Sequence, residues 1–244
     1  MGKKVVIIIP ARYDSTRLPG KILKTAGNLP VLYYVLRNGL QSKLAEDVYI
    51  ATDSEKVKGE MLKYTKNIIM TSSAHKSGTD RINEAVQNID CDIIVNLQGD
   101  EPLLTAEYID KAVEPVLNGE CEVSTLKTPC TDGECADPNV VKVVTDKNDF
   151  ALYFSRSPVP YERHTGHIIV FKHIGIYVYT KRVLNIFSNL PSSKLEKAES
   201  LEQLRLLENG YKIKVVPVDY AGNGIDTAAD LENFRNMIAD RGVK

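Results

Sequence analysis

VVIIIPARYDSTRLPGK, residues 5–21, joins a β-branched run to a basic loop. Val5 to Ile9 are five consecutive apolar residues ending at Pro10, which suits a strand buried at the centre of a parallel sheet. The loop leaves the carboxyl end of that strand, the edge at which open α/β sheets bind ligands. Arg12, Arg17 and Lys21, interleaved with Ser15, Thr16 and Gly20, can wrap a polyphosphate, and so point to a nucleotide. Taken alone, the segment also reads as a solvated loop after a core strand.

Working outward, strands and helices alternate: Val5–Ile9, a helix near Val31–Gln41, Asp47–Thr52, a helix from Ser54, Asn67–Met70, a helix from Gly78, and Asp92–Leu97. This is the pattern of βαβ units and a mostly parallel sheet. Thr105 precedes a run in which Ile109, Ala112, Val113 and Val116 share a helical face. From Glu122 the pattern changes to strand-like runs at Glu122–Lys127, Val140–Thr145, Ala151–Ser155 and Lys172–Tyr179, which predicts an antiparallel addition. A helical stretch follows, with Ser193 and Glu196 as a capping box, Leu195, Ala198, Leu201 and Leu204 as one apolar face, and Gly210 as a stop. A strand at Lys212–Val218 leads to Gly222–Asp226 and a last helix capped by Thr227.

The 244 residues carry 31 basic and 32 acidic side chains, a net charge of -1, so no global field draws the protein to nucleic acid or to anionic lipid. The N-terminal apolar run is too short for a signal-peptide core or a membrane span, and the expectation is a cytoplasmic protein without membrane insertion. Cys91, Cys121, Cys130 and Cys135 fit neither a redox CxxC nor zinc spacing and read as reduced, incidental thiols.

Asn96-Leu97-Gln98-Gly99-Asp100-Glu101-Pro102 follows the fourth predicted strand, so Asp100 emerges at the same sheet edge as the basic loop. A carboxylate beside a polyphosphate is repelled unless a divalent cation lies between them, which makes Asp100 a candidate Mg²⁺ ligand; locally it also suits an acidic turn. Asp226, in Gly224-Ile225-Asp226-Thr227, is a second candidate, since paired carboxylates on metals serve nucleotidyl transfer, although by itself it reads more readily as a turn residue. Ser77-Gly78-Thr79-Asp80-Arg81 offers backbone N–H groups at a helix start. Gly20-Lys21 lacks the Ser or Thr of a P-loop, and no GxGxxG follows the first strand, which weakens ATPase and dehydrogenase readings. His173, inside a strand pattern, reads locally as structural.

Together these segments closely resemble the 3-deoxy-manno-octulosonate cytidylyltransferases, also called CMP-Kdo synthetases. The matching stretches are IIIPARYDSTRLPGK, ATDSE, HKSGTDR, VNLQGDEP, DPNVVKVV, ALYFSRSPVPY, KHIGIYVY, LEQLRLLENG and GIDT, in order along nearly the whole chain. The resemblance implies a Rossmann-like α/β nucleotidyltransferase fold with a smaller dimerising and sugar-binding portion, in one domain. Within it, 1–120 would be the nucleotide-binding half, 121–190 the antiparallel and dimerising excursion, and 191–244 the C-terminal helices completing the site.

It further implies that CTP and the acid sugar Kdo yield CMP-Kdo and pyrophosphate for lipopolysaccharide assembly, in a homodimer using Mg²⁺. Arg12, Lys21, Asp100 and Asp226 would be catalytic, with Asp100 and Asp226 holding the metal. Pro10, Ala11, Arg12, Arg17, Lys21, Ala51, Thr52, Asp53, Ser77, Gly78 and Arg81 would hold the nucleotide. Gln98, Arg156, His173, Tyr177, Glu202 and Gln203 would line the sugar pocket. The chain departs from the family at Asp80, where Glu is usual, and in the loop Gly27-Asn28-Leu29-Pro30, one residue longer than a common Gly-Lys-Pro. An amino-substituted Kdo analogue or another acid sugar is the alternative substrate, and a silent nucleotide-sugar binding protein is the alternative of another class.

Overall fold

The computed structural model describes residues 2–15, 18–75, 77–131, 133–164, 166, 168–220 and 222–240. Arg17, expected on the triphosphate, lies outside them, as does Thr16. In chain order the elements are β1 (Val5–Pro10), β2 (Thr25–Ala26), β3 (Leu29–Pro30), α1 (Val31–Leu40), β4 (Asp47–Thr52), α2 (Glu55–Met61), β5 (Ile68–Met70), α3 (Gly78–Ala85), β6 (Ile93–Asn96) and α4 (Ala106–Leu117). They continue with β7 (Val123–Pro129), β8 (Lys142–Thr145), β9 (Ala151–Ser155), β10 (Phe171–Thr180), α5 (Lys181–Asn189), α6 (Lys194–Glu199), α7 (Gln203–Glu208), β11 (Lys214–Pro217) and α8 (Ala228–Asp240). Two compact units result, Met1–Asp110 with Gly222–Lys244, and Lys111–Ala221, and their borders differ from the three portions read from the sequence.

In the first unit, β1 lies between β6 and β4, and β4 pairs β5, with every pairing parallel. All six residues of β1 are buried, as are all four of β6, which is what a strand flanked on both sides and covered on both faces requires. α8 belongs to this unit because Leu231, Phe234 and Ile238, spaced along one helical face, close a core with Ala26, Val31, Tyr34 and Ile225. Its start is fixed as read: Asp230 N donates to Thr227 Oγ1 at 3.2 Å, and Thr227 N donates to Asp230 Oδ2 at 2.8 Å.

In the second unit β7 pairs β11 in parallel and β10 antiparallel, β10 pairs β8, and β8 pairs β9, the last two antiparallel. The expected single helix with one apolar face after Ser193 is corrected. The capping box forms, but the chain turns left-handed at Ser200 (φ 53°) and divides the stretch into α6 and α7. Leu195 and Ala198 are exposed while Leu201 and Leu204 are buried. What α6 buries instead is Glu196, whose carboxylate is paired with the Arg205 guanidinium, itself stacked on the Phe187 ring. Helix α5, capped by Thr180, has no counterpart in the sequence reading.

Among the described residues, no helix is long and apolar enough to cross a membrane.

Candidate active site

The site in the first unit is built where β1, β4 and β6 end. Ala11 continues the ladder by donating its N–H to Ala51 O at 2.9 Å, and the Thr52 hydroxyl donates to Ala11 O at 2.6 Å. These bonds lock 10–11 beside 51–52 at adjacent carboxyl ends of parallel strands. Gly99 lets the β6 exit fold over that point, since a Cβ there would meet Pro10 O at 3.1 Å. Gly20 aims the basic loop. It sits at φ +65°, and a Cβ would also press on the Tyr13 ring at 3.3 Å, so a side chain is refused twice.

Ile225 N donates to Asp100 O at 2.8 Å, stitching the segment before α8 to the β6 exit and bringing Asp226 beside Asp100. Lys21 closes the group: its Nζ lies 2.5 Å from Asp100 Oδ2 and 2.9 Å from Asp226 Oδ1. Burial alone would lower the Lys21 pKa, but Asp100 and then Asp226 outweigh it and the net shift is upward. Pro10, Arg12, Lys21, Gly78, Gln98, Asp100 and Asp226 line one cavity of about 400 Å³.

Other predicted residues stand around this edge. Arg12 Nη2 donates to His75 O at 2.8 Å, which ties the basic loop to the loop before α3. Ser77 caps α3, accepting from Asp80 N at 3.1 Å, and Gln98 Nε2 donates to Asn96 Oδ1 at 2.7 Å. Arg81 is fully buried, with Nη2 2.6 Å from Asp53 Oδ2 and Nη1 2.5 Å from Thr71 Oγ1. It therefore reaches the edge through Asp53, not with its own guanidinium.

The second unit holds Arg156, His173, Tyr177, Glu202 and Gln203. Arg156 Nε donates to Glu199 O at 2.7 Å and Nη1 to Pro138 O at 3.0 Å, and its guanidinium forms no ion pair among the described residues. The residue is held from both sides. The Glu199 carboxylate accepts from Arg156 N at 2.9 Å and Ser155 Oγ at 2.7 Å, while the buried Lys142 ammonium donates to Arg156 O at 2.5 Å. The rings of His173 and Tyr177 are 5.2 Å apart. The buried Tyr177 hydroxyl has no hydrogen-bond partner among the described residues, and burial, then Tyr179 and Glu202, pushes its pKa well above the ordinary phenol range. Glu202 stands at the N-cap position of α7 and Gln203 is buried in its first turn.

Sequence reasoning missed Glu199, Lys142 and Thr125, the last of which hydrogen bonds to His173. Their partners are remote in sequence, and no local spacing signals them. Burial first, and then a hydrogen bond with Cys135, push the Cys130 thiol up to about 12.

A parallel sheet with a basic loop and two carboxylates at its carboxyl edge defines a nucleotide-using enzyme, and residues 6–213 match the family described as Cytidylyltransferase. A 3-deoxy-manno-octulosonate cytidylyltransferase of Koribacter versatilis is 44% identical over 239 residues, covering 98% of this chain and 91% of its own. The protein of that name from Thermodesulfovibrio yellowstonii is 45% identical over 242 residues, covering 93% of this chain and 95% of its own. A solved CMP:2-keto-3-deoxy-manno-octonic acid synthetase complexed with CTP superposes with a TM-score of 0.94 at 41% identity, over 98% of this chain and 99% of that one. The chain belongs to the 3-deoxy-manno-octulosonate cytidylyltransferase family.

Proposed function

We propose that this chain activates Kdo, converting CTP and 3-deoxy-manno-octulosonate to CMP-Kdo and pyrophosphate. The C2 hydroxyl of the sugar attacks the α-phosphorus of CTP and gives up its proton to water, an O–P bond forms there, and the bond to the departing pyrophosphate oxygen breaks. No protein nucleophile is needed. The observation that carries the reading is the convergence of Lys21, Asp100 and Asp226 on one cavity at the β1 and β6 ends.

The donor set suits Mg²⁺. The Lys21 ammonium bridges two hard carboxylates where a cation is called for, and among the described residues no group of three or more His, Cys, Asp or Glu side chains comes together. Mg²⁺ favours such a site, taking one or two carboxylates and completing its shell with phosphate oxygens and water. Asp100 and Asp226 would hold it, and when bound it neutralises phosphate charge and makes the sugar hydroxyl more acidic.

The chain's own residues do the rest. Lys21 and Arg12, with Arg17, grip the triphosphate and stabilise charge developing on pyrophosphate, a contribution of several kcal/mol in sites of this kind. Pro10, Ala11, Ala51, Thr52, Asp53, Ser77 and Gly78 frame the nucleotide, and Arg81 holds Asp53 in place. Arg156, whose guanidinium hydrogen bonds to main-chain carbonyls among the described residues, suits the sugar's carboxylate, while Gln98, His173, Tyr177, Glu202 and Gln203 meet its hydroxyls. The reading includes a cytoplasmic homodimer supplying lipopolysaccharide assembly. Pyrophosphate release is the test. It should require CTP, Kdo and Mg²⁺ together, and no release under those conditions contradicts the proposal.

A further inference from the structure

The sheet of the second unit carries an irregularity beside the predicted sugar residues. Along β10, His173 and Ile174 pair with Lys127 and Leu126, but the next pair on β7, Thr125, faces Tyr177. Gly175 and Ile176 are therefore extra residues, a β-bulge. A bulge leaves carbonyls without ladder partners, and here a side chain takes them. Thr125 Oγ1 lies 2.6 Å from Ile176 O and 3.2 Å from Ile174 O. The same oxygen lies 2.9 Å from His173 Nε2.

Counting protons settles the direction of that last contact. A threonine hydroxyl has one proton, and carbonyl oxygens only accept, so the proton is committed to Ile176 O and shared toward Ile174 O. Toward His173 the hydroxyl can then only accept. His173 Nε2 must carry a proton. The ring packs edge-on against Phe154 and beside Tyr177, with centroids 5.2 Å away in each case, and no carboxylate hydrogen bonds to it among the described residues. Burial among these groups holds its pKa down to about 3, so the imidazole is neutral. A neutral ring protonated at Nε2 presents a bare lone pair at Nδ1.

We propose that Thr125 is a positioning residue: it fixes His173 as the Nε2–H tautomer, so that Nδ1 accepts a hydrogen bond from a hydroxyl of the acid sugar. The sugar as ligand rests on the function proposed above; the tautomer does not. Beside the His173 ring packs that of Tyr177, whose buried hydroxyl has no hydrogen-bond partner among the described residues and so keeps its donor uncommitted. His173 is thus a neutral reader of hydroxyl position. It is neither a general base nor a cation for the carboxylate.

The test combines spectroscopy with kinetics. In protein labelled with ¹⁵N at histidine, with His173 assigned by loss of its signals in His173→Ala, the wild type without ligands should show a protonated Nε2 and an unprotonated Nδ1 at neutral pH. Thr125→Val should lose that fixed tautomer and raise KM for Kdo about five- to tenfold, the effect of one lost hydrogen bond, with CTP affinity by calorimetry unchanged. Thr125→Ser should restore both. A protonated Nδ1 or an imidazolium in the wild type overturns the proposal even if Thr125→Val fails to fold. So does a folded Thr125→Val with His173 signals and KM unchanged. A correct tautomer in a protein that does not turn over Kdo counts against the proposed substrate alone.

Discussion

Lys21 Nζ lies 2.5 Å from Asp100 Oδ2 and reaches Asp226 Oδ1 at 2.9 Å, so one ammonium compensates both carboxylates assigned to the metal. The same lysine is assigned to the triphosphate. On the proposed reading, binding of nucleotide and cation would shift Lys21 from the carboxylates toward the phosphates.

That exchange has a measurable consequence. Lys21→Met removes the internal cation, leaving two carboxylates uncompensated, and should tighten Mn²⁺ or Mg²⁺ binding in the absence of CTP by about tenfold, roughly 1.4 kcal/mol. Turnover should fall by at least about 100-fold, because the phosphates lose a charge-assisted contact. Metal titration by calorimetry or Mn²⁺ resonance checks the first, and weaker metal binding in Lys21→Met would contradict it.

Asp100→Asn should abolish turnover while the fold persists, because the substitution alters an edge charge and no core contact. Asp226→Asn should also lose activity and require more Mg²⁺. Rates measured across a Mg²⁺ series check both, and an unchanged metal dependence in Asp226→Asn would return that residue to its turn role.

Arg81→Met should destabilise the protein by about 3 kcal/mol, since it strips Asp53 and Thr71 of a fully buried partner. Asp53→Asn should cost less, because that side chain retains some solvent contact, 20%. Urea unfolding of the single and double variants measures the coupling, and CTP titration reports whether the loop after β4 has moved.

His173 gives a pH signature. Its folded pKa of about 3 lies below the ordinary 6.5, so between these values the unfolded chain binds a proton that the folded one refuses. Stability contributed by the neutral ring is complete above about pH 6.5 and is lost as pH falls toward 3. The acid-induced fall in urea midpoint should therefore be shallower in His173→Asn than in the wild type. Identical slopes would contradict the neutral buried ring.

The parts legible in the sequence are those written in local pattern. Val5–Ile9 announces β1, Ser54 and Ser77 announce their helices, and Asp100 sits where β6 ends. Asp226 carries no such signal, and its neighbourhood depends on a bond from Ile225 to Asp100 that only the folded chain makes. The break at Ser200 was hidden for a related reason: Arg205 and Ser155 draw Glu196 and Glu199 inward, against the apolar face that Leu195 and Ala198 suggest. Thr125 answers to a bulge on another strand, which periodicity cannot reveal.

The most direct test of the account is the identity of the product. The protein, CTP, Mg²⁺ and Kdo should yield a species with the mass of CMP-Kdo, together with pyrophosphate in equal amount. It should be absent when Kdo is omitted. Consumption of CTP without a CMP-sugar product, or a product formed only with a different acid sugar, would contradict the assignment.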